Sequence, residues 1–419
     1  MTMNVCLQSL GCRLNWSEIQ VMMRQLVDAG YVIVSDPTEA DICIINTCAV
    51  TASAERKSRR CVRRLARANP ESRIAIVGCC ATLSPQDCAD WPGVAWVVPN
   101  AEKDRVVEIV AASHPPPLDG KGKFIAPRRT RAFVKVQEGC DNYCTYCIVR
   151  LLRGSAHSFP LTGVIDEALR LVKAGYQEIV LTGVNLGSYG RDLGMQDGLY
   201  ELIEALLIYT DLPRLRLSSL EPWDVDETFF ALWKNPRLCR QLHLPLQSGC
   251  DETLRRMGRP ITTREFACLV EAARSAIPGL AVTTDLMVGF PGEDEDAFRA
   301  SYDFAAAMEF AKLHVFPYSP RPGTAAARLP NQVEDDVCEE RVQTMCNLGA
   351  EQASRFRQRF IGEEVSVLWE HRRSDGSWPG WTDNYLRVVT RATEDLHNTL
   401  TSTRLIAAQN GHLIGQVIA

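Results

Sequence analysis

Short, continuously apolar runs alternate with helical patterns along most of this chain, and that alternation limits the architectures open to it. In the first hundred residues the runs are Val5-Cys6-Leu7, Tyr31-Val32-Ile33-Val34, Asp41-Ile42-Cys43-Ile44-Ile45-Asn46, Arg73-Ile74-Ala75-Ile76-Val77 and Val94-Ala95-Trp96-Val97-Val98. Between them, Ser17-Glu18-Ile19 opens a helical pattern carried by Ile19, Met22, Met23, Leu26 and Val27 and closed by Gly30. A second helix is predicted from about Ala52 to Ala68 and a third around Ala101–Ala111. Strands without polar alternation are buried on both faces, which in a βα series means an open parallel sheet covered by helices on each side.

The Pro/Gly-rich stretch Ser113-His114-Pro115-Pro116-Pro117-Leu118-Asp119-Gly120-Lys121-Gly122-Lys123 marks a linker. Beyond it, strand-like runs recur at Phe133–Val136, Glu178–Leu181, Arg214–Leu217, Gln241–Leu244, Ala281–Met287 and Lys312–Phe316, with helical segments between them. Six βα units suggest a barrel or partial barrel, short of the ~250 residues typical of an eightfold one. From about Arg355 the texture changes to Val365–Trp369, Leu386–Val389 and Leu413–Val417 among turn-rich segments, fitting a small β-barrel or β-sandwich. The expected division is 1–113, a linker 114–125, a core 126–354 and a terminal module 355–419: an α/β chain with a small all-β end.

Lys and Arg number 46 against 51 Asp and Glu, a net charge of −5, so a nucleic-acid surface must be a local patch. No apolar run reaches the roughly 18–20 residues of a membrane helix. The start, Met1-Thr2-Met3-Asn4-Val5-Cys6, has no signal-peptide pattern, and the cytoplasm is the expected compartment. Sixteen cysteines there should stay reduced, which argues for metal or redox chemistry over a disulfide framework.

Gly139-Cys140-Asp141-Asn142-Tyr143-Cys144-Thr145-Tyr146-Cys147 places three of them on the loop after the first barrel strand, at the mouth where barrel sites form. A structural zinc prefers four ligands in pairs, and an iron–sulfur cubane also wants four. Three leave one position open, useful only if a substrate or cofactor fills it. A zinc site borrowing a distant fourth ligand, and incidental buried cysteines, remain the alternatives. The CxxxCxxC run after a first barrel strand resembles the radical S-adenosylmethionine enzymes. That resemblance implies a 4Fe–4S cluster on Cys140, Cys144 and Cys147, whose open iron chelates S-adenosylmethionine and whose electron cleaves it to a 5′-deoxyadenosyl radical. Small and polar residues end later strands: Gly183 and Asn185, Ser218 and Ser219, Asp285, Gly289 and Glu293 are candidates to cradle that cofactor, against the plainer reading of loop caps.

Cys12, Cys48 and Cys79 each follow a predicted strand of the first sheet, as Gly11-Cys12, Thr47-Cys48 and Gly78-Cys79. Strand carboxyl ends of an open parallel sheet share one edge, where ligands bind, so the three thiols are placed to converge. Unrelated core or loop cysteines remain open beside that reading, as does Cys80 in place of Cys79. Ser9-Leu10-Gly11-Cys12-Arg13-Leu14-Asn15, Ile45-Asn46-Thr47-Cys48-Ala49-Val50-Thr51 and Val77-Gly78-Cys79 are similar to the amino-terminal domain of the methylthiotransferases. That family joins it to a radical-S-adenosylmethionine barrel and a terminal TRAM domain, an RNA-binding β-barrel. The resemblance implies a second 4Fe–4S cluster on this trio, which holds or receives the sulfur. It also implies tRNA as substrate, an electron donor, a sulfur source and no membrane. Leu10–Asn15, Asn46–Thr51 with Lys57-Ser58-Arg59, and Leu181–Gly190 most resemble the branch acting on threonylcarbamoyladenosine beside the anticodon. Other branches act on isopentenyladenosine of tRNA or on an aspartate of a ribosomal protein. The chain departs at Arg150, His157 and Thr82, where the family usually has Pro, Arg and Gln.

Independently of any family, Arg56, Lys57, Arg59, Arg60, Arg63, Arg64 and Arg67 lie within one predicted helix. At 100° per residue they share an arc of about 160°, with Cys61, Val62 and Leu65 opposite. A one-sided cationic helix suits RNA phosphates; a merely solvated face is the alternative. Arg128, Arg129 and Arg131 form a second small patch, expected near the barrel entrance. Trp378, Trp381, Tyr385 and Arg387 could stack bases or fill a core. The rival from a different class is a non-catalytic, zinc-dependent RNA-binding protein.

Overall fold

The computed structural model describes residues 3–116, 123–124 and 130–418, so most of the linker, with Arg128 and Arg129, lies outside the described residues. Strands β1 (Asn4–Ser9), β2 (Val32–Val34), β3 (Ile42–Thr47), β4 (Arg73–Gly78), β5 (Val94–Val98) and β6 (Lys123–Phe124) form one parallel sheet in the order β5-β4-β3-β1-β2-β6. Side-chain alternation sends Val5, Ile42, Ile44 and Val77 under α1 (Arg13–Asp28), and Cys6, Cys43, Ile45 and Ile76 under α2 (Ala52–Ala68). Helix α1 starts four residues before the expected Ser17. Gly11, at φ +100°, turns the chain and extended Cys12 caps the helix. The buried polar residues Asn15, Ser17 and Glu18 hide the apolar period there. The helix expected at Ala101–Ala111 is a 3-10 segment, Asn100–Arg105, running into an α-helix, Val106–Ser113.

The six expected barrel strands are β7 (Arg131–Lys135), β8 (Glu178–Thr182), β9 (Arg214–Leu217), β10 (Gln241–His243), β11 (Ala281–Val288) and β12 (Lys312–Pro317). Parallel ladders join β7, β8 and β9, and likewise β10, β11 and β12. Bridges Leu215–Leu238 and Ser219–His243 stitch the two sets together. The result is an open partial barrel with β7 and β12 at its edges. The first sheet's helices cover both. Ser17 Oγ donates to the Phe133 carbonyl at 3.0 Å and accepts from Lys135 N at 3.1 Å along β7. Beyond β12, Ala52 N donates to Ser319 Oγ at 3.0 Å and Arg321 pairs with Glu55 at 2.8 Å.

At the carboxyl end, β13 (Glu364–Trp369), β14 (Trp378–Thr382), β15 (Arg387–Thr390), β16 (Leu400–Gln409) and β17 (His412–Val417) close a barrel around Val367, Trp369, Trp378, Val388, Leu405 and Leu413. Closure excludes the sandwich, and Trp378 is core. Strands β14 and β16 escape sequence reading because Trp-Pro-Gly-Trp-Thr looks like a turn and β16 is threonine-rich and mostly exposed. This barrel docks under the amino ends of β7–β9: Arg214 donates to the Trp381 carbonyl at 2.9 Å, and Arg216 pairs with Glu178 and donates to the Asp383 carbonyl. Arg131, expected at the barrel entrance, sits at this opposite end, paired with Glu370 at 3.2 Å, because it opens β7 rather than following it. Among the described residues no helix is long and apolar enough to cross a membrane.

Candidate active site

The loop after β7 carries Cys140, Cys144 and Cys147 and is held on three sides. Cys140 N donates to the Gly154 carbonyl at 3.1 Å. Thr145 donates through N and Oγ1 to the Met257 and Arg256 carbonyls, both at 2.9 Å, and its own carbonyl accepts from Ala326 N. Gly139 makes the entry turn at φ +70°, where a Cβ would overlap the Ser155 carbonyl oxygen. Burial pushes the Cys140 thiol up to about 11 and the Cys147 thiol up to about 12; backbone hydrogen bonds oppose this and the neighbouring thiolates add to it. Such thiols ionise when a metal takes the proton's place. Beneath the loop Arg259 is buried, pairing with Glu221 at 2.7 Å and lying over the Trp223 ring at 4.6 Å.

Cys12 caps α1, Cys48 follows β3, and Cys79 opens the short helix α3 (Cys79–Leu83) after β4. All three line one cavity of about 740 Å³. Gly11 makes their approach possible: a Cβ there would stand 2.5 Å from Cys48 Cβ and 3.0 Å from its sulfur. Cys80 turns elsewhere, its thiol donating to the Cys48 carbonyl at 3.4 Å, and does not line the cavity. Helix α4 (Val149–Arg153), directly after the first trio, reaches the second. Arg153 donates to Asn15 Oδ1 at 2.7 Å, the atom that also accepts from the Cys12 thiol at 3.4 Å. Asn100 Nδ2 donates to the Leu152 carbonyl at 2.9 Å and toward Cys79 Sγ at 3.7 Å.

The cavity continues into the open barrel. Thr182, Gly183, Ser218, Ser219, His243 and Asp285 line it, as do Lys312 and His314 of β12 and Tyr385 of the carboxyl-terminal barrel. Asn185 lies just behind, its N–H donating to Gln137 Oε1. Gly289 and Glu293 lie outside the cavity: Glu293 accepts from Gly289 N at 2.9 Å and pairs with Arg341 at 3.0 Å, closing the turn after β11. Several buried polar atoms near the strand ends and the loop, among them Asn142 Nδ2, Asn185 Oδ1, Ser218 Oγ and Gln247 Oε1, lack partners among the described residues. A polar ligand would satisfy them. Among the described residues no three His, Cys, Asp or Glu side chains stand close enough together to hold a single metal ion.

Sequence reading missed Arg153, Lys312, His314 and Tyr385 as cavity residues. Lys312 and His314 left a signal, two polar residues at period two in an otherwise apolar strand. Tyr385, at φ +64° on a turn of another domain, and Arg153 left none. On the outer face, Arg56, Lys57, Arg60, Arg63, Arg64 and Arg67 of α2 are exposed, while Arg59 is half-buried against Trp91. Ser58 ties this helix to Cys48, donating to its carbonyl and accepting from its N–H.

Residues 4–98 match the family described as "Uncharacterized protein family UPF0004", and residues 134–305 match the "Radical SAM superfamily". The chain is similar to the threonylcarbamoyladenosine tRNA methylthiotransferase MtaB of Bacillus subtilis, 35% identical over 99% of this chain and 96% of that one. It is 38% identical to the protein of the same name from Thermotoga maritima, over 91% and 90% of the two chains. Among solved structures, the radical S-adenosylmethionine methyltransferase TsrM from Kitasatospora setae shares the fold at a TM-score of 0.55 and 16% identity, over 76% of this chain and 75% of that one.

Proposed function

The chain belongs to the radical-S-adenosylmethionine methylthiotransferase family, and on that premise we propose that it inserts a methylthio group at carbon 2 of N6-threonylcarbamoyladenosine beside the anticodon of tRNA. The observation that carries this reading is the single cavity joining Cys12, Cys48 and Cys79 to the polar strand ends of the barrel. We assign one 4Fe–4S cluster to Cys140, Cys144 and Cys147 and a second to Cys12, Cys48 and Cys79. With an electron donor, a sulfur source and two molecules of S-adenosylmethionine, these groups supply the radical that removes the carbon-bound hydrogen, the sulfur that replaces it and the methyl that caps the sulfur.

The protein's own residues bind and orient. Gly183, Ser218, Ser219 and Asp285 present polar groups and open space on the barrel side, and we assign the cofactor there. Gly289 and Glu293 hold the loop after β11 instead. His243 stands between Thr283 Oγ1, at 2.9 Å, and the Asp285 carboxylate, at 3.3 Å, which fixes its ring across the cavity. The first sheet's helices pack along both edges of the open barrel, and the Tyr385 turn adds to the cavity wall. Outside, the cations of α2 are placed to grip phosphates and bring an RNA to the Cys48 side.

The test separates the trios. Wild-type protein should carry about eight irons per chain, two cubanes of four. Cys140→Ala should lose half and form no 5′-deoxyadenosine. Cys48→Ala should also lose half, yet still cleave the cofactor and make no methylthiolated nucleoside. Cofactor cleavage by Cys140→Ala, or loss of cleavage in folded Cys48→Ala, would overturn the assignment.

A further inference from the structure

We propose that Arg13 and Lys312, which line the same cavity from two different domains, bind the carboxylate of the threonylcarbamoyl group and thereby select the substrate. The inference rests on the tRNA reading above and deepens it. Three strong cations line the cavity: Arg13 from the first residue of α1, Arg153 from α4, and Lys312 from the first residue of β12. Arg153 is already committed to Glu18, Glu138 and Asn15. Arg13 and Lys312 are not. Among the described residues neither has a carboxylate within 4.0 Å, and neither side chain makes a hydrogen bond. Asp285 is the one carboxylate among the lining residues, and His243 faces it.

The two cations share a field. Both bear on His314, two residues along β12 from Lys312; burial first and then Lys312 push that ring down to about 4, Asp285 opposes them, and His243 and, least, Arg13 add to the effect. The Arg13 guanidinium lies 5.7 Å from the Tyr385 ring, a contact that places it without neutralising it. Lys312 is exposed and Arg13 half-buried at the cavity wall, and two cations without a carboxylate partner there suit an anion brought in by a ligand. Threonylcarbamoyladenosine ends in a carboxylate, which a guanidinium can take with paired hydrogen bonds. The isopentenyl group is a neutral hydrocarbon and offers neither cation a partner, so the selection lies in the contacts that only the carboxylate makes. An RNA phosphate offers the same negative charge, so the test must tell the two apart.

Three anticodon stem-loop RNAs, identical except for threonylcarbamoyl-, isopentenyl- or unmodified adenosine at the target position, are titrated against cluster-loaded full-length protein at fixed salt. Wild type should bind the threonylcarbamoyl RNA most tightly. Arg13→Gln and Lys312→Gln should each weaken that RNA roughly tenfold or more, and leave the other two nearly unchanged. Arg13→Lys and Lys312→Arg should keep most of the preference. Iron content and circular dichroism check folding; because Arg13 adjoins Cys12, Lys312→Gln carries the test if Arg13→Gln loses iron. Equal weakening of all three RNAs would assign the cations to phosphate and overturn the inference, as would wild-type affinities in both variants. If wild type methylthiolates only the isopentenyl RNA, the substrate reading itself falls, and this inference with it.

Discussion

At the scale of single residues, the site depends on places where a side chain cannot be added. Gly139 combines φ +70° with a carbonyl where its Cβ would go. Gly139→Ala should therefore cost about 2 kcal/mol or more, and because the strain falls beside Cys140 it should lower iron content along with the melting temperature. An alanine enzyme with full iron content and an unchanged melting temperature would contradict this. The neighbouring pair Cys79 and Cys80 gives a sharper contrast. Cys79→Ala should remove about one cluster, roughly four irons, while Cys80→Ala, whose buried thiol contacts the Cys48 carbonyl and does not line the cavity, should keep both. Iron loss in the Cys80 variant alone would reverse the assignment. The cysteine spacings were legible in sequence, because each thiol follows a strand whose apolar run is unmistakable. Arg13, Arg153 and Tyr385 were not, since nothing local says that three different domains turn them into one space.

Among the elements, α2 has two faces with separate tasks. Ser58, Cys61, Val62 and Leu65 are buried against the sheet, and the exposed cations look outward. Arg60→Glu with Arg63→Glu should leave folding nearly unchanged, weaken tRNA binding strongly at low salt, and flatten the plot of log affinity against log salt by about one unit per lost phosphate contact. Unchanged affinity and slope would make that face a merely solvated one. The bounds of α2 were readable because its amphipathic period runs unbroken from end to end. The start of α1 was not, because Asn15, Ser17 and Glu18 are polar yet buried, tied to other domains rather than exposed to water. Strand β14 was hidden for the opposite reason, its Pro and Gly masking a segment whose first Trp is core.

For the whole molecule, the decisive feature is how the first sheet is clamped across the open barrel. Glu18 of α1 meets Arg153 at 2.8 Å and Lys103 at 2.6 Å, and Glu138, next to the first cluster loop, meets Arg153, Lys103 and Lys135. Burial disfavours the Glu18 carboxylate, but Arg153, Lys103 and Lys135 outweigh it and hold Glu18 well below the usual carboxylate range. A depressed folded value means the stabilisation is complete above the unfolded value near 4.5 and is lost as pH falls toward the folded one. Glu18→Gln should thus destabilise the protein by about 3 kcal/mol at pH 7, with the gap to wild type narrowing below about pH 4.5. A gap that stays constant with pH, measured by denaturant unfolding, would remove this clamp from the account. The order of sheet, barrel and small β-barrel was legible from the texture of the chain, whereas the clamp was not, since Glu18 finds Lys103 and Arg153 85 and 135 residues away. The central claim, that this assembly modifies threonylcarbamoyladenosine, is tested most directly by mass spectrometry of nucleosides. Cluster-loaded protein is incubated with threonylcarbamoylated tRNA, S-adenosylmethionine, a reductant and sulfide. The account predicts that the threonylcarbamoyladenosine peak gives way to one heavier by a sulfur and a methylene, with 5′-deoxyadenosine formed alongside. An unchanged nucleoside from protein that cleaves the cofactor, or conversion of isopentenylated tRNA or a ribosomal protein alone, would contradict it.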